Sequence, residues 1–169
     1  VDGHGAVKGQ ILDDVRLAEA IKRRGYGTGL YSAPWAFRVR LYRSFHEIFY
    51  GYAKNLYEGM GRRPLLGMAA VLFVLVGTLS PYLALVGGLF GHLVLSWTVP
   101  GWPWLIWLAG ICGLQAVFRY RIERFDGRSG AMAWVHPFAN VVLVAIILRS
   151  MLRVEVSWKG RRFVDGRAA

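Results

Sequence analysis

The chain has 169 residues, 55% of them hydrophobic and 14% aromatic, and carries a formal net charge of +11. The charge lies at the two ends: residues 1–64 hold 11 basic and 6 acidic side chains, residues 119–169 hold 10 and 4, and Leu65 to Phe118 hold none. Such a charge-free run argues against one soluble domain, and without a base-reading motif the basic ends suit anionic lipid headgroups, not nucleic acid.

Residues 1–9 are Gly-rich and read as a loop. From Gln10 to Arg24 the apolar positions Ile11, Leu12, Val15, Leu17, Ala18 and Ile21 form a helical stripe, and Gly25 is a natural stop. Acids open this helix and Lys22, Arg23 and Arg24 close it, which suits the helix dipole at both ends. The chain starts at Val1 with no signal peptide, and nothing precedes the helix to bury its apolar stripe. We therefore read the sequence as the C-terminal part of a larger protein.

The adjacent pair Asp13 and Asp14 is open to two readings. Neighbouring carboxylates repel each other, which favours one of them as a proton acceptor. Acids at this position also cap a helix and do nothing more.

Tyr26 to Ala33 fits a short strand closed by Pro34. Residues 35–59 alternate aromatic and basic side chains, and Val39 to Tyr57 reads as an amphipathic helix in the headgroup plane. Gly59, Gly61 and Pro64 end it.

About 20 apolar residues cross a bilayer core as a helix. The apolar stretches predict four membrane or interfacial helices, at about 65–80, 82–97, 104–118 and 131–148, with a charged loop at Arg119–Arg128. Pro81 separates the first two, and a basic cytoplasmic tail, 151–169, follows the last. Four crossings would strand the basic loop Arg119-Tyr120-Arg121-Ile122-Glu123-Arg124 on the face opposite residues 1–64. A re-entrant or interfacial helix removes that conflict, and Pro137 and Asn140 make the last helix the suspect. The single Cys112 allows no internal disulfide and reads as a small buried hydrophobe. His92 and His136, inside apolar spans without acids at metal-ligand spacing, read as helix-packing hydrogen bonders.

The motifs come in a telling order. Leu12-Asp13-Asp14-Val15 is followed by Arg40-x-x-Arg43, then Lys54-Asn55, then the apolar spans, then Trp158-Lys159-Gly160-Arg161. This order resembles the C-terminal half of a membrane-bound family 2 glycosyltransferase. Asp13-Asp14 looks like that family's Glu/Asp-Asp motif, whose second acid is the catalytic base, a role that falls to Asp14. Arg40-x-x-Arg43 looks like the family's (Gln/Arg)-x-x-Arg-Trp motif, with Ser44 where Trp is usual. Lys54 and Trp158 resemble positions in members that act on lipid or lipid-linked acceptors.

The resemblance implies a mainly α chain. Residues 1–63 would close an α/β GT-A catalytic domain, and 64–150 would form a helical bundle. It implies an inverting transferase that moves a sugar from a nucleotide-sugar donor to a lipid or glycan acceptor at the cytoplasmic face of the cell membrane. Asp13 and Asp14 would be catalytic, and Arg40, Arg43, Lys54 and Trp158 would bind donor diphosphate or acceptor. The family's Asp-x-Asp motif, with its Mg2+ or Mn2+, would lie upstream of Val1, so these residues would hold no metal or cofactor of their own. The rival reading is a non-catalytic membrane scaffold or transporter subunit with a basic juxtamembrane helix.

Overall fold

A computed structural model describes residues 3–7, 10–29, 31, 35–36, 39–98, 101–152, 155–158, 161–164 and 167–168. The fold is mainly helical. In chain order its helices are α1 (Asp13–Arg23), α2 (Phe45–Gly59), α3 (Pro64–Leu72), α4 (Ser80–Val94), α5 (Trp102–Phe125) and α6 (His136–Leu152). A π-helical stretch, Phe73–Leu79, joins α3 to α4, and short 3-10 turns occupy Gly3–Val7 and Ala131–Val135. The basic tail carries an antiparallel meander of β1 (Glu155–Trp158), β2 (Arg161–Val164) and β3 (Arg167–Ala168). Glu155 pairs with Val164 and Trp158 with Arg161 along the first ladder. The chain forms two compact units, one from Val1–Gly67 with Ile146–Ala169 and one from Met68–Ala145.

In the first unit α1 is shorter than Gln10–Arg24, because Leu12 takes the N-cap position and offers no side-chain acceptor. Residues 26–29 take no regular structure, so the strand expected over Tyr26–Ala33 does not form there; residues 30 and 32–34 lie outside the described residues. The helix expected from Val39 starts instead at Phe45. Its start is fixed by Ser44, whose Oγ accepts the Glu47 N–H at 3.2 Å, while Glu47 Oε2 accepts the Arg43 N–H at 2.7 Å. This reciprocal arrangement is a capping box shifted by one residue.

The far end of α2 closes with the Arg62 N–H on the Tyr57 carbonyl and the Gly61 N–H on the Glu58 carbonyl. Gly61 at φ 64° supplies the left-handed step that this closure needs, and Arg62 at φ 56° repeats it before α3 begins. The end of α6 packs in the same unit. Ser150 Oγ accepts the Tyr57 N–H at 2.9 Å, the Arg149 guanidinium lies 4.6 Å from the Tyr50 ring centre, and a Cβ on Gly67 would meet the Met151 side chain.

The two spans expected on either side of Pro81 are one continuous helical run, Pro64–Val94, of 31 residues, most of it in the second unit. Proline removes a backbone donor and normally breaks a helix. Here the orphaned carbonyls are served by side chains. Ser80 Oγ donates to the Val76 carbonyl at 2.6 Å, and Gln115 Nε2 of α5 donates to the Gly77 carbonyl at 3.3 Å. The Ser80 N–H reaches back to the Leu75 carbonyl, five residues earlier. A local π adjustment with Ser/Thr and neighbouring-helix donors is how an apolar helix tolerates proline.

The α4 and α5 helices run antiparallel. Gln115 faces Gly77, the Tyr82 hydroxyl donates to the Cys112 carbonyl at 3.4 Å, and the His92 ring lies 4.7 Å from Trp102. Cys112 is buried and unbridged, as its apolar setting predicts. His92 packs its ring on Trp102 of α5 as expected, with Nδ1 on the Trp97 carbonyl, whereas the described bond of His136 is to Asn140 one turn along its own helix at 3.2 Å.

The charged stretch expected to be a loop from Arg119 extends α5 to Phe125, because Glu123 pairs with Arg119 one turn back at 3.2 Å. Three helical segments, Pro64–Val94, Trp102–Phe125 and Ala131–Leu152, are long and apolar enough to cross a membrane. Their exposed residues include Leu83, Phe90, Ile106, Leu114 and Phe118, a surface suited to lipid.

Candidate functional site

The described candidate residues lie in the first unit. Asp13 and Asp14 occupy the first turn of α1 and are both exposed. Asp13 Oδ1 accepts the Asp14 N–H at 3.1 Å, and Asp14 Oδ1 accepts the Val15 N–H at 2.8 Å. These are contacts with the adjacent amide, not the N-cap bond to an amide two or three residues on. Among the described residues neither carboxylate pairs with a cation.

The helix carrying them is held in place. Arg16 reaches Glu19 at 3.0 Å on α1 and Glu58 at 3.4 Å on α2. The hydrogen bond to Glu19 raises the Arg16 guanidinium above its usual pKa; burial opposes the rise and Glu58 adds to it. Arg62 also reaches Glu58, at 3.7 Å, so Glu58 receives two guanidinium groups, one from α1 and one from the α2–α3 turn. Leu12 lies next to Gly59 at the same junction.

Arg40 and Arg43 both lie outside α2, since that helix starts later than the sequence pattern suggested. Arg40 is exposed in an irregular stretch, and Arg43 is exposed one residue before the Ser44 cap. No hydrogen bond or ion pair joins either guanidinium to Asp13 or Asp14 among the described residues. Lys54 sits on α2, half-buried. Trp158 is the last residue of β1; its side chain lies outside the described set.

Tyr42, between the two arginines, packs against Gly51 of α2 and lies 5.9 Å from the Tyr52 ring. Burial pushes its phenol above the usual range, and Tyr52 adds to the rise. Sequence reasoning missed Arg16, Glu58, Tyr42 and Ser44. The Ser44-x-x-Glu47 spacing was a signal for the last, and the Gly51 position inside a helix hinted at a close approach. Nothing in the local sequence pointed to the Arg16–Glu58 pairing.

Among the described residues no three of His, Cys, Asp and Glu converge as a metal ion requires. Asp13 and Asp14 alone do not fit a divalent ion that also needs further oxygen ligands. The arrangement can take a proton from a hydroxyl at an exposed carboxylate and can present guanidinium groups to phosphate oxygens. No family model, curated protein or solved structure matches the chain.

Proposed function

We propose that the chain is the closing segment of an inverting, membrane-bound glycosyltransferase of the family 2 type. It moves a sugar from a nucleotide-sugar donor to a lipid or glycan acceptor at the cytoplasmic face of the cell membrane. One observation carries the reading. Two exposed carboxylates, with no cation paired to them among the described residues, sit on a helix that Arg16 ties to α2, and α2 turns through Gly61 into the apolar run that begins at Pro64. This chain of contacts supports reading the carboxylates as a proton acceptor that works near the membrane surface.

The chemistry asked of these residues is modest. The acceptor hydroxyl attacks the anomeric carbon from the face opposite the nucleoside diphosphate, and the configuration inverts. Asp14 takes the hydroxyl proton as the new C–O bond forms and the bond to the diphosphate breaks. Asp13, its neighbour, orients and polarises the site. Arg40 and Arg43 present planar forks to the departing phosphate oxygens, where negative charge develops. Lys54 and Trp158 bind acceptor or donor. The α/β GT-A domain that would hold the nucleotide belongs to this proposal, as does the multi-pass arrangement.

The test uses the full-length protein in membrane vesicles. A panel of nucleotide sugars is supplied, and transfer into lipid extract or glycan is followed with the anomeric configuration of the product. The proposal predicts one donor consumed and an inverted product. Correctly inserted protein that consumes none of them would leave the scaffold reading in its place.

A further inference from the structure

The first unit brings together residues that three successive membrane crossings would separate. If Pro64–Val94, Trp102–Phe125 and Ala131–Leu152 each crossed in turn, the end of α6 would emerge opposite the start of α3, across about 30 Å of hydrocarbon. Instead Met151 lies against Gly67, Ser150 bonds Tyr57 at 2.9 Å, and Arg149 stacks on Tyr50 at 4.6 Å. Those contacts require an even number of crossings. The α4 and α5 helices pair antiparallel along their lengths and account for two of them.

We infer that α6 does not cross the membrane. It turns back on the face from which α3 enters, with lipid at the headgroup–acyl boundary as its partner. The side-chain pattern of the helix fits that placement. Trp134, Phe138, Val141, Ala145, Leu148 and Leu152 form an exposed apolar stripe at alternating spacings of four and three. The four polar residues of α6 lie off that stripe: Asn140 and Ser150 are buried, and His136 and Arg149 are half-buried. The stripe can rest on lipid while the few polar residues of an otherwise apolar helix are wholly or partly covered by protein. Pro137 at the helix start and Arg149 near its end suit an element that begins and ends at the interface.

The joined Pro64–Val94 helix and this inference together remove the charge conflict in the sequence. After two crossings the basic stretch Arg119–Arg128 returns to the starting face, and a helix that turns back leaves the basic tail there as well. All three basic segments then share one face, as the positive-inside rule asks. The tail that carries Trp158 and the helix that carries Asp14 share one compartment. This inference stands on the contacts of α6 and does not depend on the transferase reading.

The experiment is sided labelling of the full chain. Cys112→Ala removes the native thiol, and single cysteines are placed by Thr28→Cys, Thr98→Cys and Ala169→Cys. Right-side-out and inverted vesicles are treated with a membrane-impermeant maleimide, and detergent-opened vesicles show that each thiol can react. The expected result is that Thr28→Cys and Ala169→Cys label in the same vesicle orientation and Thr98→Cys in the other. Labelling of Thr28→Cys and Ala169→Cys in opposite orientations would mean that α6 crosses. Labelling of Thr98→Cys together with Thr28→Cys would mean that α3 and α4 do not form one crossing. Either result overturns the inference.

Discussion

Arg16 lies 3.4 Å from Glu58, 42 positions along the chain, and this contact ties the acid-bearing helix α1 to α2. Both partners are partly shielded, with side chains 31% and 13% exposed. Arg16→Ala or Glu58→Ala should each loosen α1, and a double-mutant cycle should return a coupling of about 0.5–1 kcal/mol, near the top of the range for exposed pairs. Hydrogen exchange of the α1 amides, followed in detergent or lipid discs, reads the effect. Equal protection in wild type and both variants would mean that the bridge does not hold α1.

Gly51 packs directly under the Tyr42 ring. A methyl group there overlaps the ring, so Gly51→Ala should destabilise the start of α2 by about 1–3 kcal/mol. Tyr42→Ala made in the same chain should restore most of that loss, although it removes the ring's own packing. Thermal unfolding of the single and double variants checks the order.

Pro81 and Gln115 should be coupled. Gln115→Leu leaves the Gly77 carbonyl without its donor in an apolar setting and should cost about 1–2 kcal/mol. Pro81→Ala restores a backbone N–H to the helix, so in that background Gln115→Leu should cost much less. Additive losses on the two substitutions would show that the amide does not serve the proline break.

Glu123 is 2% exposed and pairs with Arg119 at 3.2 Å on α5. Arg119→Ala strands the buried Glu123 carboxylate without its partner and should lower stability by about 3–5 kcal/mol, whereas Glu123→Ala leaves a guanidinium that reaches solvent and should cost less. Replacing both residues with leucine should be far milder. Melting of the purified protein in detergent separates the two outcomes.

Much of the helical pattern was legible because charge-free runs are strong signals. Leu65 to Phe118 holds no charged side chain, and helices fill most of it. What the sequence hid was every feature that depends on a distant partner. Pro81 reads as a break until Gln115, thirty-eight residues past Gly77, is known to supply the missing donor. Arg119 and Glu123 read as a loop until their one-turn pairing is seen on a continuing helix. The aromatic–basic alternation after Trp35 suggested one long helix, whereas the Ser44–Glu47 box starts it at Phe45 and leaves Arg40 and Arg43 outside it. The Asp13–Asp14 pair was visible from its residue types alone, but its exposure and its lack of a cation among the described residues required coordinates.

The most direct test of the account compares Asp14→Asn with Asp13→Asn in the full-length protein in native membranes, with nucleotide-sugar transfer as the readout. Loss of a general base lowers rates by about 10²–10⁴-fold. The account predicts a loss of that size for Asp14→Asn and a smaller one for Asp13→Asn, with membrane insertion unchanged in both. A wild-type transfer rate in Asp14→Asn would contradict it and return the pair to the role of a helix start.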